Sequence, residues 1–188
     1  MPDVVQTISD SIVFGDVVVT KADDRFSARF RTADSPTVTI ERVGARTRRS
    51  VPIGTRDASC LVARVNDRAM KVLPGSGRVF KRSYRVIAEI DDRVLSLGPK
   101  SIDTCRFIDG RPGEIEKSFC EFTLRADGSI DVEWETPTEI KVLGHTVEPP
   151  QPTEEDALIG FALAAAFGTG ALSATSIVMG FVSAALPG

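Results

Sequence analysis

Residues that carry catalytic and metal-binding chemistry are scarce in this 188-residue chain. It contains one histidine, His145, and three cysteines, Cys60, Cys105 and Cys120, with no Cys-x-x-Cys spacing. A zinc site needs closely spaced Cys or His ligands, and an activated nucleophile needs an adjacent base. Glycine-rich phosphate-binding motifs are also missing. The sequence therefore predicts no catalytic residue, no metal and no cofactor, and the odd cysteine count favours buried, reduced thiols.

Two further absences bear on location and partners. The N-terminus, Met1-Pro2-Asp3-Val4, lacks the basic start and the apolar run of a secretory signal. We therefore predict a cytoplasmic protein, and the apolar tail described next leaves membrane association open. The net charge is -3, which gives no overall attraction for nucleic acid. Nucleic acid is accordingly not a predicted partner.

Charged side chains are absent from the last 32 residues, 157–188. Just before them, Thr153 and Asp156 have the spacing of a capping box, which predicts a helix start. A helix that is apolar on every side must be buried in protein or in lipid, and Gly168-Thr169-Gly170 predicts a break in it. The large side chains expected to pack or insert are Leu158, Ile159, Phe161, Leu163, Phe167 and Phe181.

The sequence allows three environments for this apolar surface: a lipid bilayer, the interior of the protein, and an interface with other copies of the chain. An uncharged stretch of this length reaches the usual threshold for a transmembrane helix. The preceding acidic flank and the lack of basic anchors weaken that interpretation. The predicted break divides the tail into two segments that are each short for a bilayer, which favours burial inside the protein. Small residues at four-residue spacing also allow contact between copies of the chain.

Short alternating strands dominate the chain before the tail. Phe26, Ala28 and Phe30 alternate with polar neighbours, as in a strand that is buried on one face. The clearest hairpin runs from Phe119 to Trp134, with a tight two-residue turn predicted at Asp127-Gly128. We count about ten to twelve strands in this way, at a spacing typical of a barrel or sandwich.

The predicted fold is mainly β, an antiparallel barrel with an apolar C-terminal helix that is buried in the barrel. We divide the chain into a β domain over residues 1–148, a proline-rich connector over 149–153 and an apolar helical tail over 154–188. Proline fixes φ and disfavours helix in the preceding residue, which explains the connector.

A family resemblance adds to this interpretation. The segment Glu155-Asp156-Ala157-Leu158-Ile159-Gly160-Phe161-Ala162-Leu163-Ala164 resembles the acidic-capped central helix of the tubby-like, LURP-one-related and scramblase-like proteins. The order of short strands, proline-rich link and apolar helix is similar to theirs as well. The resemblance implies a closed barrel of about twelve strands around the helix. It also implies a non-enzymatic binding role, commonly toward membrane phospholipid headgroups.

Two basic clusters are the candidate binding residues. Each cluster occupies eight consecutive positions, and arginine suits phosphate because its guanidinium donates in a planar fork. If the two loops converge, they could hold a phosphate or an anionic headgroup. The candidate residues are Arg42, Arg46, Arg48 and Arg49 in the first cluster and Arg78, Lys81, Arg82 and Arg85 in the second.

Three functional hypotheses follow from these features. The preferred one is a cytoplasmic binding module for anionic lipid headgroups or a protein partner, with the helix buried. The second is a membrane-attached protein that inserts residues 157–188 and presents its β domain to the cytoplasm. The third is a structural subunit that associates with itself or with other chains through the apolar tail.

Overall fold

The computed structural model of the chain describes residues 4–78, 80–140 and 145–170, with 138–140 and 145–147 at the level of the backbone. Eleven strands follow one another in a single antiparallel sheet, each paired with its neighbours in sequence. The strands are β1 Val5–Asp10, β2 Asp16–Lys21, β3 Arg25–Phe30, β4 Thr37–Arg42, β5 Leu61–Val65, β6 Arg68–Pro74, β7 Val86–Ile90, β8 Arg93–Pro99, β9 Thr104–Ile108, β10 Ser118–Leu124 and β11 Ile130–Trp134. A separate two-stranded hairpin pairs β12 Thr138–Ile140 with β13 His145–Val147.

The sheet curls into a nearly closed barrel whose seam lies between β1 and β11. Because eleven is odd, a chain of antiparallel neighbours brings these two strands together in parallel orientation. Within the described residues no backbone ladder joins them. Side chains bridge the seam instead: Ser9 Oγ accepts from the Ile130 amide at 2.8 Å, and Trp134 Nε1 donates to the Ser11 carbonyl at 2.7 Å.

One α-helix, α1 Glu154–Phe167, follows the connector. Its start is a capping box: Thr153 Oγ1 accepts from the Asp156 amide at 3.1 Å, and the Asp156 carboxylate accepts from the Thr153 amide at 2.9 Å. Asp156 is buried, and Arg93 on β8 donates to it at 2.7 Å. The side chain that caps the helix therefore also ties its first turn to the barrel wall.

The helix fills the barrel. Every residue from Asp156 to Phe167 is buried, at most 5% exposed, and α1 contacts strands around the circumference, among them β2, β3, β4, β8, β10 and β11. Phe161 packs against Phe122 of β10 with ring centroids 5.0 Å apart. An interior wider than that of an eight-stranded barrel leaves space that side chains alone do not fill, and α1 occupies it.

The mainly β antiparallel barrel with one C-terminal helix confirms the predicted fold class, with eleven strands in the barrel against the predicted ten to twelve. The helix ends at Phe167, and Gly168 has a φ of 84°, in agreement with the predicted break. Residues 157–167, the first part of the segment that was predicted to pack or insert, are buried among the strands of the barrel. Phe181 and the rest of 171–188 lie outside the described residues.

The predicted hairpin from Phe119 to Trp134 is present as β10 and β11, with Cys120 opposite Trp134 and Leu124 opposite Ile130. The predicted two-residue turn is wrong. The Arg125 amide bonds the Ser129 carbonyl at 2.9 Å, which leaves three residues in the loop. Gly128, with a φ of 85°, supplies the left-handed position that such a loop requires.

The alternation of strand directions gives the barrel two distinct ends. We call the end where α1 begins the N-face and the end where α1 ends the C-face. The N-face comprises the turns at 11–15, 31–36, 66–67, 91–92, 109–117 and 135–137. The C-face comprises the loops at 22–24, 43–60, 75–85, 100–103 and 125–129. At the C-face, the Ile53 amide donates to the Ala166 carbonyl at 2.9 Å, so loop 43–60 covers the end of α1.

Substitution of Gly160 tests how closely α1 fits the barrel. A Cβ at Gly160 would lie 2.7 Å from ring atoms of Phe122 and 3.2 Å from Phe107. Gly160→Ala should therefore destabilise the fold by about 1–3 kcal/mol through overpacking, although the same change in an open helix is stabilising. Equilibrium urea denaturation measures this. Gly98→Ala on β8 is the control, since its Cβ would make one ordinary contact at 3.5 Å.

Truncation tests whether the barrel needs the helix. A chain that ends at Asp156 should lose cooperative unfolding, because a single large core deletion already costs about 2–5 kcal/mol of a total of about 5–15 kcal/mol. A chain that ends at Gly170 keeps α1 and should unfold cooperatively. Thermal denaturation followed by circular dichroism distinguishes the two, and cooperative unfolding of the shorter chain would show that α1 is dispensable.

Candidate anion-binding face

Both predicted basic clusters lie at the C-face, and the segments 43–56 and 75–85 that carry most of their residues contain no acidic residue, although Asp57 follows in the first loop. The first loop region, 43–56, follows β4, and the second, 75–85, follows β6. The second includes a 3-10 turn at Lys81–Tyr84 that precedes β7. Together these two segments carry eight bases: Arg46, Arg48, Arg49, Arg56, Arg78, Lys81, Arg82 and Arg85.

The two loops converge, as the binding hypothesis requires. Arg48 Nη1 donates to the Gly77 carbonyl at 3.3 Å. Arg56 Nη1 donates to the carbonyls of Gly75 at 3.1 Å and Tyr84 at 3.3 Å. Guanidinium groups of the first loop are therefore held against the backbone of the second. The approach is tight at Gly77, where a Cβ would lie 2.7 Å from Arg56 Cδ.

Two of the predicted binding residues serve the fold instead. Arg42 is 8% exposed, and it donates to the Ile53 carbonyl at 2.9 Å and to Asp23 Oδ2 at 2.6 Å, as well as to the Gly44 carbonyl. Arg46 donates to Asp23 Oδ1 at 3.1 Å and to the Pro52 carbonyl at 2.7 Å. These bonds hold loop 43–60 against the barrel, so neither guanidinium is free for a ligand.

Arg56 also belongs to this face, although it was not among the residues predicted from the sequence. It is partly buried, its Nε is buried without a hydrogen-bond partner, and no described carboxylate lies within ion-pair distance of it. Its guanidinium lies over the Tyr84 ring at 5.3 Å and the Phe167 ring at 5.6 Å. Arg56 lies outside the two predicted clusters. In the sequence, only its position in the same acid-free segment as Arg48, 43–56, indicates that it could belong to the site.

Arg56 is a cation without an ion-pair partner among the described residues. Burial, and secondly the positive charge of Arg48, lower the pKa of Arg56 to about 10. The guanidinium is still protonated at neutral pH. Because its pKa falls on folding, the charge makes the folded state less stable below the folded pKa, and this penalty disappears as the pH rises toward the unfolded pKa. An anion beside Arg48 and Arg56 would remove the penalty.

The other predicted bases surround this pair at the surface. Arg49, Arg78 and Arg85 are exposed, and within the described part of the chain their side chains form no ion pair or hydrogen bond. Arg82 lies over the Phe80 ring at 5.5 Å, and Lys81 donates to the Lys100 carbonyl. The face therefore combines one partly buried pair of guanidinium groups with a rim of solvent-exposed bases, which suits a phosphate-bearing ligand.

The described residues offer little support for a metal site, a cysteine nucleophile or a membrane-spanning helix. They contain no group of three or more His, Cys, Asp or Glu side chains placed to hold a metal ion. Cys105 and Cys120 are buried, and burial raises the pKa of both thiols well above the usual range. A thiol in that state is a poor nucleophile. No helix among the described residues is long and apolar enough to span a bilayer.

Comparison of the chain with protein-family models, with curated proteins and with solved structures finds no match. The resemblance to tubby-like proteins therefore stays a prediction. The observations that bear on function are therefore those at the C-face.

Arg42 and Arg56 form a matched pair for a stability test. Arg42→Met removes hydrogen bonds that hold loop 43–60, so we expect a loss of about 3 kcal/mol in the free energy of unfolding. Arg56→Met loses two longer bonds but also removes an uncompensated charge, so we expect a change within about 1 kcal/mol of the parent. Urea denaturation at neutral pH measures both. Equal, large losses would mean that Arg56 is also a structural residue.

Proposed function

We propose that the protein is a non-enzymatic binding module whose C-face takes a phosphate-bearing anion of the kind that anionic phospholipid headgroups display. The observation that carries the proposal is Arg56, a partly buried guanidinium with no acidic partner among the described residues. A buried cation costs stability unless a charge compensates it. The segments 43–56 and 75–85, which contain no acidic residue, bring the guanidinium donors of Arg48 and Arg56 together.

The distribution of charge over the barrel supports the same ligand. Carboxylates concentrate at the N-face, in the turns that contain Asp67, Asp91, Asp92, Asp109, Glu114 and Glu116, and in the first turn of α1. The C-face also has acids, but Asp23 pairs with Arg42 and Arg46. The carboxylates of Asp57, Asp103 and Asp127 accept bonds from neighbouring serines. These three carboxylates and that of Asp24 remain charged without an ion pair among the described residues, but they are outnumbered by seven bases that also have none. Those bases are Arg48, Arg49, Arg56, Arg78, Lys81, Arg82 and Arg85. The net unpaired charge of the C-face is therefore positive.

Thermal shift with soluble anions tests this proposal. Inositol hexakisphosphate, added to the full chain at saturation, should raise the melting temperature by about 5–10 °C, since a ligand at 100 times its Kd contributes about 2.7 kcal/mol. Potassium chloride at the same ionic strength should not. Arg56→Met combined with Arg48→Met should abolish the shift.

The control for this experiment is Arg111→Met combined with Arg31→Met, which removes the same two charges from exposed positions at the N-face. It should respond to the anion like the parent. A shift of equal size in the Arg48/Arg56 variant would contradict the proposed site. A shift that chloride reproduces would show general screening in place of binding.

A further inference from the structure

Large apolar side chains are exposed on three separate loops of the C-face. Val43 is 58% exposed, Phe80 65% and Ile102 63%. They belong to the loops at 43–60, 75–85 and 100–103, which are all at the end of the barrel where α1 stops. Isolated exposed apolar residues are common on proteins. The N-face turns also expose Ile12, Val13 and Ile115, but those residues stand among acidic side chains. The exposed apolar residues of the C-face stand among bases, which suits a ligand that is both apolar and anionic.

The bases stand immediately beside these apolar tips. Phe80 lies between Arg78 and Lys81 in the sequence, and the Arg82 guanidinium covers one side of its ring. Ile102 has Lys100 two residues before it, which pairs with Glu121, and Asp103 directly after it, whose carboxylate accepts from Ser101 and Thr104. The unpaired bases therefore lie around Phe80. Apolar side chains rimmed by Lys and Arg are the arrangement that peripheral proteins use at a membrane interface.

The course of the chain adds an independent observation. After α1, Thr169 Oγ1 accepts from the Leu124 amide at 2.9 Å. Gly170 packs so closely against the backbone of Ile102 and Asp103 that it has no room for a Cβ. The residues that follow α1 therefore lie at the C-face as far as Gly170, beside Ile102. In sequence, residues 171–188 contain no charged side chain.

We propose that the C-face docks on an anionic lipid bilayer, with Phe80 and Ile102 inserted between the headgroups. This inference rests on the proposed function and extends it, because it identifies the source of the phosphate as a bilayer surface and not a free anion. The bases at the rim bind lipid phosphates while the two apolar tips reach below them. In this orientation the acidic N-face points away from the membrane, where it avoids repulsion from anionic lipid.

Vesicle sedimentation with the full chain tests the inference. The chain should bind vesicles of phosphatidylcholine with phosphatidylserine much more tightly than vesicles of phosphatidylcholine alone. Phe80→Ala with Ile102→Ala should weaken binding to the anionic vesicles about tenfold, the effect expected for losing partial burial of two apolar side chains. The matched control is Ile115→Ala, since Ile115 is 57% exposed at the N-face, and it should bind like the parent.

A second readout reports insertion directly. In Phe80→Trp the new indole should be quenched by vesicles with brominated acyl chains, whereas Ile115→Trp should show only the background from Trp134, which the parent chain also shows. Equal quenching in the two variants would overturn the inference. So would unchanged vesicle affinity after Phe80→Ala with Ile102→Ala.

The outcomes also separate this inference from the proposed function. Binding of inositol hexakisphosphate through Arg48 and Arg56 without binding to vesicles would leave the anion site standing and refute docking on a bilayer. Loss of vesicle binding in the apolar variant, with inositol hexakisphosphate binding intact, would support both. A chain that binds neither ligand would refute the proposed function and this inference together.

Discussion

The need to fill the interior of an eleven-stranded barrel is the constraint on which the rest of this structure depends. The strands present an apolar lumen that their own side chains do not fill, and α1 is apolar on every side because the barrel surrounds it. The requirement explains Gly160, where the helix meets Phe122 and Phe107. It also explains why the capping box is tied to the wall through Arg93.

The central helix organises the electrostatics of the molecule as well. Its first turn carries three acidic residues, which suits the positive end of the helix dipole, and its last turn points toward the basic C-face. The two ends of the barrel therefore differ in the sign of their unpaired charge. Because the helix ends at the C-face, where Gly170 packs against Ile102 and Asp103, the bases, the exposed apolar tips and the end of α1 lie on one surface.

The sequence predicted most residues of the candidate site, but it did not predict what each of them does. The clusters at Arg42–Arg49 and Arg78–Arg85 are visible as runs of bases, but their roles differ in ways that a run does not reveal. Arg42 and Arg46 close a loop through Asp23, and this pairing spans residues far apart in sequence. The sequence does not single out Arg56, because its importance comes from burial between Tyr84 and Phe167 and from having no ion pair among the described residues.

The sequence by itself determined the features that depend on local order: alternation in the strands, the capping box at Thr153 and Asp156, and the helix stop at Gly168. Backbone propensity, side-chain periodicity and near-neighbour hydrogen bonds decide these within a few residues. Tertiary structure alone decided that the two basic loops meet and that Arg56 has no ion pair among the described residues. It also decided that Phe80 and Ile102 lie at the same end of the barrel as the end of α1. These facts depend on which loops the barrel brings to the same end, a long-range outcome of strand number and direction.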